Sequence, residues 1–183
     1  MRHVIVSEFV TLDGVMEAPE KWSSQHWMDE LATFKFDELF ASDALLLGRV
    51  TYHDFAAAWP SMTDETGFAD RMNSLPKFVV STTLEEVEWN NSRLIKGNVT
   101  EEVSRLKQQP GRDILVAGSG QLVHTLMQHG LVDEYRLMVH PVVLGSGKRL
   151  FRDGSETTAL RLVDTKTFSS GVVVLTYRPG PRA

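Results

Sequence analysis

Residues 112–131 constrain the fold more than any other stretch, because they join a strand to a helix through a glycine turn. Residues 114–117 form an apolar run with β-branched members, which is typical of a strand buried on both faces of a sheet. Gly118, Ser119 and Gly120 follow, and apolar side chains then recur at helical spacing. We therefore predict a central strand that turns sharply into a helix.

A turn of this composition exposes backbone N–H groups at the positive end of a helix, without a Cβ to keep an anionic ligand away. The arrangement therefore suits a phosphate group. The dinucleotide-binding fingerprint contains three glycines, however, and residues 118–123 supply only the first two. A tight connection that binds nothing explains the same residues equally well, so other segments have to decide.

A second strand end repeats this arrangement. The apolar residues 44–47 lead directly to Gly48, Arg49 and Thr51. Glycine lets the backbone approach a ligand, arginine offers a planar charged fork, and threonine caps a helix or binds a phosphate oxygen. Ordinary helix capping beside a surface arginine is the alternative.

A third strand end carries hydroxyl groups. Residues 77–81 again have the pattern of a buried strand, and Ser81, Thr82 and Thr83 stand at its end. Three hydroxyls suit a phosphate or a ribose. Serine and threonine are also common in loops that bind nothing, which is the more frequent case for these residue types alone.

The remaining periodicities complete an α/β pattern. Residues 3–10 are predicted as a first strand, residues 22–41 as a helix with an aromatic-rich face, and residues 134–140 as an alternating strand. Residues 160–168 and 172–177 are typical of a hairpin. Strands that alternate with helices and end in a hairpin predict an α/β sheet that is mainly parallel with antiparallel additions. We expect the last three strands to form the edge of that sheet.

Length and composition limit the organisation of the chain. With 183 residues and 42% hydrophobic content, it is long enough for one domain, predicted at residues 1–178 ahead of a frayed tail at 179–183. The sequence has no apolar run long enough to cross a membrane and no signal-peptide pattern. We therefore predict a soluble, cytoplasmic protein without membrane contact.

Several kinds of chemistry are disfavoured. The absence of cysteine excludes disulfides and thiolate chemistry. A net charge of -5 without a long basic block argues against nucleic-acid binding. The six histidines lack the spacing of metal ligands, so we predict no metal site, and no GxSxG elbow occurs.

Five motifs, in order and spacing, coincide with those of a known family. They are TLDG at 11–14, LLGRVTY at 46–52, KFVVS at 77–81, VAGSG at 116–120, and DEY at 133–135 with PVVLGSG at 141–147. The chain resembles the dihydrofolate reductase-like superfamily, in particular stand-alone proteins similar to the C-terminal reductase domain of the bifunctional riboflavin-biosynthesis deaminase/reductase. The resemblance spans nearly the whole chain.

The resemblance implies a three-layer dihydrofolate reductase-like fold in which NADPH lies across the carboxyl ends of the strands. It also implies which residues contact the cofactor. The cofactor phosphates would contact Gly48, Arg49 and Thr51, and the adenosine 2′-phosphate would contact Ser81 and Thr82. The pyrophosphate and nicotinamide side would contact Gly118, Ser119, Gly120 and Gln121. The sequence departs from the family where Gly-Ser-Gly replaces adjacent glycines.

The substrate side carries over less well. Dihydrofolate reductases place a proton-donating carboxylate on the first long helix, but counting back from the second strand ends near Ala32, between Asp29 and Asp37. We therefore assign no catalytic residue. Asp13 is the best candidate for holding a polar substrate group. The other residues predicted to bind substrate are Trp22, Trp27 and Phe34.

These features together predict an NADPH-dependent reductase that transfers a hydride to a small heterocyclic, carbonyl or imine substrate. The alternative is a nucleotide- or ligand-binding protein that retains the fold without turnover. The resemblance further implies a homodimer, because riboflavin-type reductases pair. We expect Tyr135, Leu137 and Val139 or their neighbours near the contact.

Overall fold

The computed structural model describes residues 1–181, which form eight β-strands and five α-helices. The strands are β1 (Val4–Thr11), β2 (Ser42–Gly48), β3 (Lys77–Val80), β4 (Ser92–Ile95), β5 (Asp113–Ala117), β6 (Glu134–His140), β7 (Leu160–Thr167) and β8 (Val173–Pro179). The helices are α1 (Asp29–Ala41), α2 (Arg49–Ala58), α3 (Phe68–Ser74), α4 (Val99–Gln108) and α5 (Gly120–Gln128).

All eight strands join one sheet in the order β4-β3-β2-β5-β1-β6-β8-β7. The strands from β4 to β6 run parallel, whereas β8 runs antiparallel to both β6 and β7. The prediction of an α/β fold with a mainly parallel sheet and an antiparallel C-terminal hairpin is confirmed.

Helices cover both faces of the parallel part of the sheet. On one face, Val6 and Val116 pack in a cluster with Leu126 of α5 and Val103 of α4. On the other face, the cluster around Leu45 includes side chains of α1, α2 and α3. The strands β1, β2 and β5 are therefore buried on both sides, which explains their continuous apolar runs.

The helix predicted to begin at Trp22 begins at Asp29 instead. Two short 3-10 helices, Pro19–Lys21 and Ser24–His26, precede it. Between them the buried Trp22 donates its indole N–H to the carbonyl oxygen of Glu17 at 2.9 Å. The aromatic spacing in this segment therefore reflects an anchored loop, which periodicity alone does not distinguish from a helix.

The last three strands form one side of the sheet, as predicted, in the order β6-β8-β7. Within that group β7 is the outermost strand, and β8 pairs along β6. The opposite edge is β4, a strand that the sequence pattern did not predict. Its four residues are mostly half-buried or exposed, so the apolar signal of a buried strand is weak there.

The C-terminal end is paired further than expected. β8 extends to Pro179, and the N–H of Gly180 donates to the carbonyl oxygen of Ala159 at 2.8 Å. The start of the predicted tail is thus hydrogen-bonded, while its last residues, 182–183, lie outside the described residues. Within residues 1–181, no helix is long and apolar enough to span a membrane.

Candidate active site

A cleft of about 2360 Å³ lies at the carboxyl ends of β1, β2, β3 and β5. Open α/β sheets bind ligands at this edge, where the chain leaves each parallel strand for the next helix. Two of the strand-to-helix turns meet in the cleft. One joins β2 to α2 at Gly48, and the other joins β5 to α5 through Gly118 and Ser119.

The two turns are locked together by hydrogen bonds. The N–H of Gly48 donates to Ser119 Oγ at 2.8 Å, and this hydroxyl donates in turn to the carbonyl oxygen of Ala117 at 2.9 Å. The N–H of Ser119 donates to Thr51 Oγ1, also at 2.9 Å. The serine and threonine hydroxyls therefore fix the relative position of the two helices that begin at the cleft.

Close contact between the turns explains the glycine at 118. Its φ of 54° is left-handed, and a Cβ there would lie 2.6 Å from Thr51 Oγ1. Ser119, the N-cap residue of α5, is left-handed as well, with a φ of 62°. At Gly120 a Cβ would lie 2.7 Å from Met16 Sδ, which also lines the cleft. A larger residue at either glycine would have to displace its neighbour.

Two helix N-termini face the same space. In the described chain, α2 begins after Gly48, which has no side chain to cap it, and the Ser119 side chain does not cap α5. The contrast is α4, where the Asn98 side chain accepts a hydrogen bond from the Glu101 N–H at 3.2 Å. Free N–H groups and the positive ends of two helix dipoles make this part of the cleft favourable for an anion.

All nine residues predicted to contact a cofactor line this one cleft. They are Gly48, Arg49, Thr51, Ser81, Thr82, Gly118, Ser119, Gly120 and Gln121. Arg49, Thr82 and Gln121 are exposed on the cleft wall. The Ser81 hydroxyl is buried, and it accepts hydrogen bonds from the N–H groups of Thr83 and Leu84 at 3.2 and 3.1 Å. Ser81 therefore supports the loop, and contact with a cofactor stays a prediction for all nine.

Of the residues predicted to bind substrate, Trp27 lines the cleft and is half exposed. Asp13 lies outside it and holds a neighbouring loop instead. Its carboxylate accepts hydrogen bonds from Thr11 Oγ1 at 2.6 Å and from the Gly145 N–H at 2.8 Å. The Thr11 hydroxyl is the main cause of a pKa lowered to about 2 at Asp13. The Leu-Asp-Gly turn therefore has a structural explanation.

Trp22 and Phe34 also lie outside the cleft. Trp22 packs edge-on against the buried His140 ring, 5.2 Å between centroids. Phe34 packs against Phe168 in a separate apolar cluster between α1 and the C-terminal hairpin. The aromatic residue of α1 that lines the cleft is Phe36. The sequence showed an aromatic face on this segment but not which side chains turn toward the ligand.

Two cleft residues were missed in the sequence. Lys35 of α1 donates to Glu38 Oε2 at 2.6 Å and to Ser7 Oγ at 3.1 Å, which places its charge beside the middle of β1. Glu8 also lines the cleft and is only 3% exposed. The available signal was Glu8 itself, an acidic residue within the otherwise apolar pattern of β1.

Metal ligation has no support in the described part of the chain, where no group of three or more His, Asp or Glu side chains is arranged to hold an ion.

The open sheet and the cleft between two glycine-containing turns define an α/β protein with a candidate ligand site at the carboxyl ends of its parallel strands. The chain belongs to the RibD C-terminal domain family, which matches residues 2–174. It is 39% identical over 179 residues to the uncharacterized protein YyaP of Bacillus subtilis (strain 168), covering 96% of this chain and 94% of that protein. It is 29% identical over 175 residues to YwjB of the same organism, also uncharacterized, covering 93% and 95%.

Solved structures share the fold. A candidate riboflavin biosynthesis protein of Shewanella sp. PV-4 superimposes with a TM-score of 0.80 at 20% identity, covering 98% of this chain and 99% of that one. The deaminase/5-amino-6-(5-phosphoribosylamino)uracil reductase of Thermotoga maritima superimposes with a TM-score of 0.67 at 17% identity. The match covers 98% of this chain but 57% of the Thermotoga protein.

Proposed function

We propose that the protein is an NADPH-dependent reductase that transfers a hydride to a small heterocyclic, carbonyl or imine substrate. The observation that carries the proposal is the convergence of two uncapped helix N-termini in one cleft, between hydrogen-bonded glycine turns. That arrangement fits a pyrophosphate, which needs backbone donors and close approach.

The residues present fit a dinucleotide along the cleft. The turn from Gly118 to Gln121 would hold the pyrophosphate and the nicotinamide side. Arg49 and Thr82, both exposed on the wall, would hold the phosphorylated end of the adenosine. NADPH supplies the hydride when bound, whereas the protein orients it and limits access of water.

The other end of the cleft suits a flat, polar substrate. Phe9, Phe36 and Trp27 offer aromatic surface, and Lys35 offers a positive charge beside them. Aromatic walls favour stacking on a planar ring, and an ammonium group favours an anionic or carbonyl substituent. The substrate of the Thermotoga relative, an aminouracil carrying a phosphoribosyl group, has these properties, so it is the first compound to test.

Two measurements test the function. Fluorescence titration should show that NADPH binds, and binds more tightly than NADH. NADPH absorbance should then fall with at least one compound of a panel of 5-amino-6-(5-phosphoribosylamino)uracil, dihydrofolate, 1-pyrroline and 4-nitrobenzaldehyde. Failure to bind NADPH would contradict the proposal. Tight binding without oxidation by any panel compound would favour the alternative, a ligand-binding protein without turnover.

A further inference from the structure

Glu8 interrupts the apolar pattern of the central strand. Its neighbours on the same face of β1, Val6 and Val10, are core residues, and the exposed fraction of Glu8 lies between theirs. Unlike them it lines the cleft, near the carboxyl end of a strand that lies between β5 and β6. An acidic side chain buried at such a position is costly, so a functional explanation is warranted.

The Glu8 carboxyl group faces the glycine turn. In the parallel pairing of β1 with β5, Ser7 lies opposite Ala117, which brings Glu8 beside Gly118. The Gly118 N–H favours the charged form of the Glu8 carboxyl group and so lowers its pKa, which agrees with this proximity. In the part of the chain that the structure describes, Oε1 of Glu8 has no hydrogen-bond partner. A buried carboxyl oxygen beside the glycine turn is thus unpaired within the described protein, which leaves it for a ligand.

We propose that Glu8 is the proton donor of the reduction. The inference rests on the proposed function, because it assigns a role in the same cleft. When the carbon of a substrate C=N or C=O group accepts a hydride from NADPH, the π electron pair moves to the nitrogen or oxygen. That atom takes the proton of the Glu8 carboxyl group, whose O–H bond breaks. The resulting carboxylate regains a proton from solvent before the next turnover.

The surroundings of Glu8 favour its neutral form. Burial raises the pKa of this carboxyl group well above its ordinary value. Lys35 and the Gly118 N–H oppose the rise, whereas the Glu38 carboxylate reinforces it. Both charged side chains belong to α1, and Lys35 is paired with Glu38 at 2.6 Å. A carboxylic acid that keeps its proton is the form that can act as a general acid.

The two acids that sequence counting placed near the expected proton donor provide comparisons. Asp29 lines the cleft at its exposed rim, and Asp37 lies on the surface of α1 outside the cleft. Asp29→Asn tests a rival donor within the cleft. Asp37→Asn is the matched control for loss of a carboxyl group from α1.

The first test needs no substrate. Infrared spectra of the cofactor-free protein at neutral pH should show the carbonyl band of a buried protonated carboxyl group. Glu8→Gln should remove that band. Asp37→Asn should retain it. A wild-type spectrum without the band, or an unchanged band in Glu8→Gln, would overturn the proposal. The absence of the band from the wild-type spectrum overturns the proposal by itself, so this part of the test does not depend on how well a variant folds.

The second test uses NADPH and the panel compound that the wild-type protein reduces. Glu8→Gln should lower kcat by about 100-fold or more, on the scale of general acid catalysis, with NADPH affinity within about two-fold of wild type. Glu8→Asp should recover part of the rate. The wild-type rate should fall at high pH as Glu8 loses its proton, and the slow rate of Glu8→Gln should lack that fall.

The outcomes separate the two proposals. Equal rates in the wild type and Glu8→Gln would overturn only the role of Glu8, as would a large loss confined to Asp29→Asn. Weaker NADPH binding by Glu8→Gln with an unchanged rate would mean that Oε1 serves the cofactor instead. If the wild-type protein binds NADPH but reduces no panel compound, the reductase and its proton donor fail together.

Discussion

Arg49 is the charged side chain best placed to discriminate between cofactors. The hydroxyls near it are already engaged, Thr51 by Ser119 and Ser81 by its own loop, whereas Arg49 is exposed on the cleft wall. We predict that Arg49→Ala weakens NADPH binding about ten-fold, since a charged hydrogen bond contributes roughly 1.5 to 3 kcal/mol. NADH binding should change little. Titration of both cofactors checks this, with Arg161→Ala, on the exposed edge strand β7, as control.

His140 is a second residue whose environment has a measurable consequence. It is fully buried, its Nδ1 lies 2.8 Å from the Met138 carbonyl oxygen, and Phe9, Trp22 and His26 surround its ring. Within residues 1–181, its Nε2 has no hydrogen-bond partner. Burial is the main cause of a lowered pKa at His140, and the neighbouring His26 acts in the same direction. The native state therefore favours the neutral ring.

The lowered pKa of His140 makes the protein less stable at acidic pH. In the unfolded chain the His140 ring has its ordinary pKa of 6.5, so it takes up a proton more readily there than in the native state. The contribution to stability is therefore complete above pH 6.5 and is lost as the pH falls toward the lower native pKa. The free energy of unfolding should therefore decrease on acidification, by up to about 1.4 kcal/mol per pH unit from this group. Urea denaturation between pH values of about 7.5 and 5.5 measures it. A slope that is identical in His140→Gln would contradict the assignment.

At the scale of elements, one of the two hydrogen bonds that lock α2 to α5 depends on Thr51. Thr51→Val keeps the shape of the side chain but removes the acceptor of the Ser119 N–H. We expect a loss of about 1 kcal/mol in the free energy of unfolding, with weaker NADPH binding because one of the two hydrogen bonds that position the helix ends is lost. Urea denaturation and cofactor titration test both effects. Thr100→Val, in the first turn of α4 and outside the cleft, is the matched control, and equal behaviour of the two variants would contradict the role.

The parts of the fold that the sequence predicted are those with local signals. β5, the turn at 118–120 and α5 were recognisable because a buried run, two glycines and a helical period occur in direct succession. The strand β4 was missed because half-exposed residues leave no such pattern. The late start of α1 was missed because the anchoring of Trp22 is a contact between side chain and loop, which spacing does not encode.

The candidate site divides in the same way. The predicted cofactor residues follow strand ends, and parallel strand ends meet at one edge of a sheet, so their convergence in one cleft is a consequence of topology. The substrate side depends on which side chains of α1 turn inward. Phe36 lines the cleft and Phe34 does not, although both fit the aromatic pattern. The position of Glu8 beside the glycine turn follows from the register of β1 against β5, which the sequence alone does not show.

At the scale of the whole molecule, the region around the C-terminal hairpin carries exposed apolar side chains next to buried ones. Tyr135 and Leu137 of β6, expected near a subunit contact, are buried within the chain itself. On the same face, Tyr135 pairs with Tyr177 of β8, and Tyr177 pairs with Leu162 of β7. Leu162 is 48% exposed. Phe151, 43% exposed, packs against Tyr135. An apolar face of this kind is typical of a subunit interface.

We propose that this face pairs two chains in a homodimer, the commonest symmetric assembly. Light scattering should give twice the chain mass of 20.6 kDa. Leu162→Asp should shift the mass toward the monomer, because it would bury a carboxylate in the apolar contact. Met62→Asp, which changes an exposed apolar side chain after α2, should leave the mass unchanged. A monomeric wild-type protein at micromolar concentration would contradict the proposal.

The chain's first strand is also one of its middle strands, and this determines when the protein can fold. Val4 pairs with Ile114 and Ile5 with Glu134, so both neighbours of β1 come from the distant second half of the sequence. During synthesis, β1 therefore leaves the ribosome long before either partner exists. Its apolar residues stay unpaired until β5 and β6 have emerged, and such long-range pairing is slow and exposed to aggregation. The protein consequently has to fold late and as a whole, and a nascent chain that stops before β5 has no sheet in which to place its first strand.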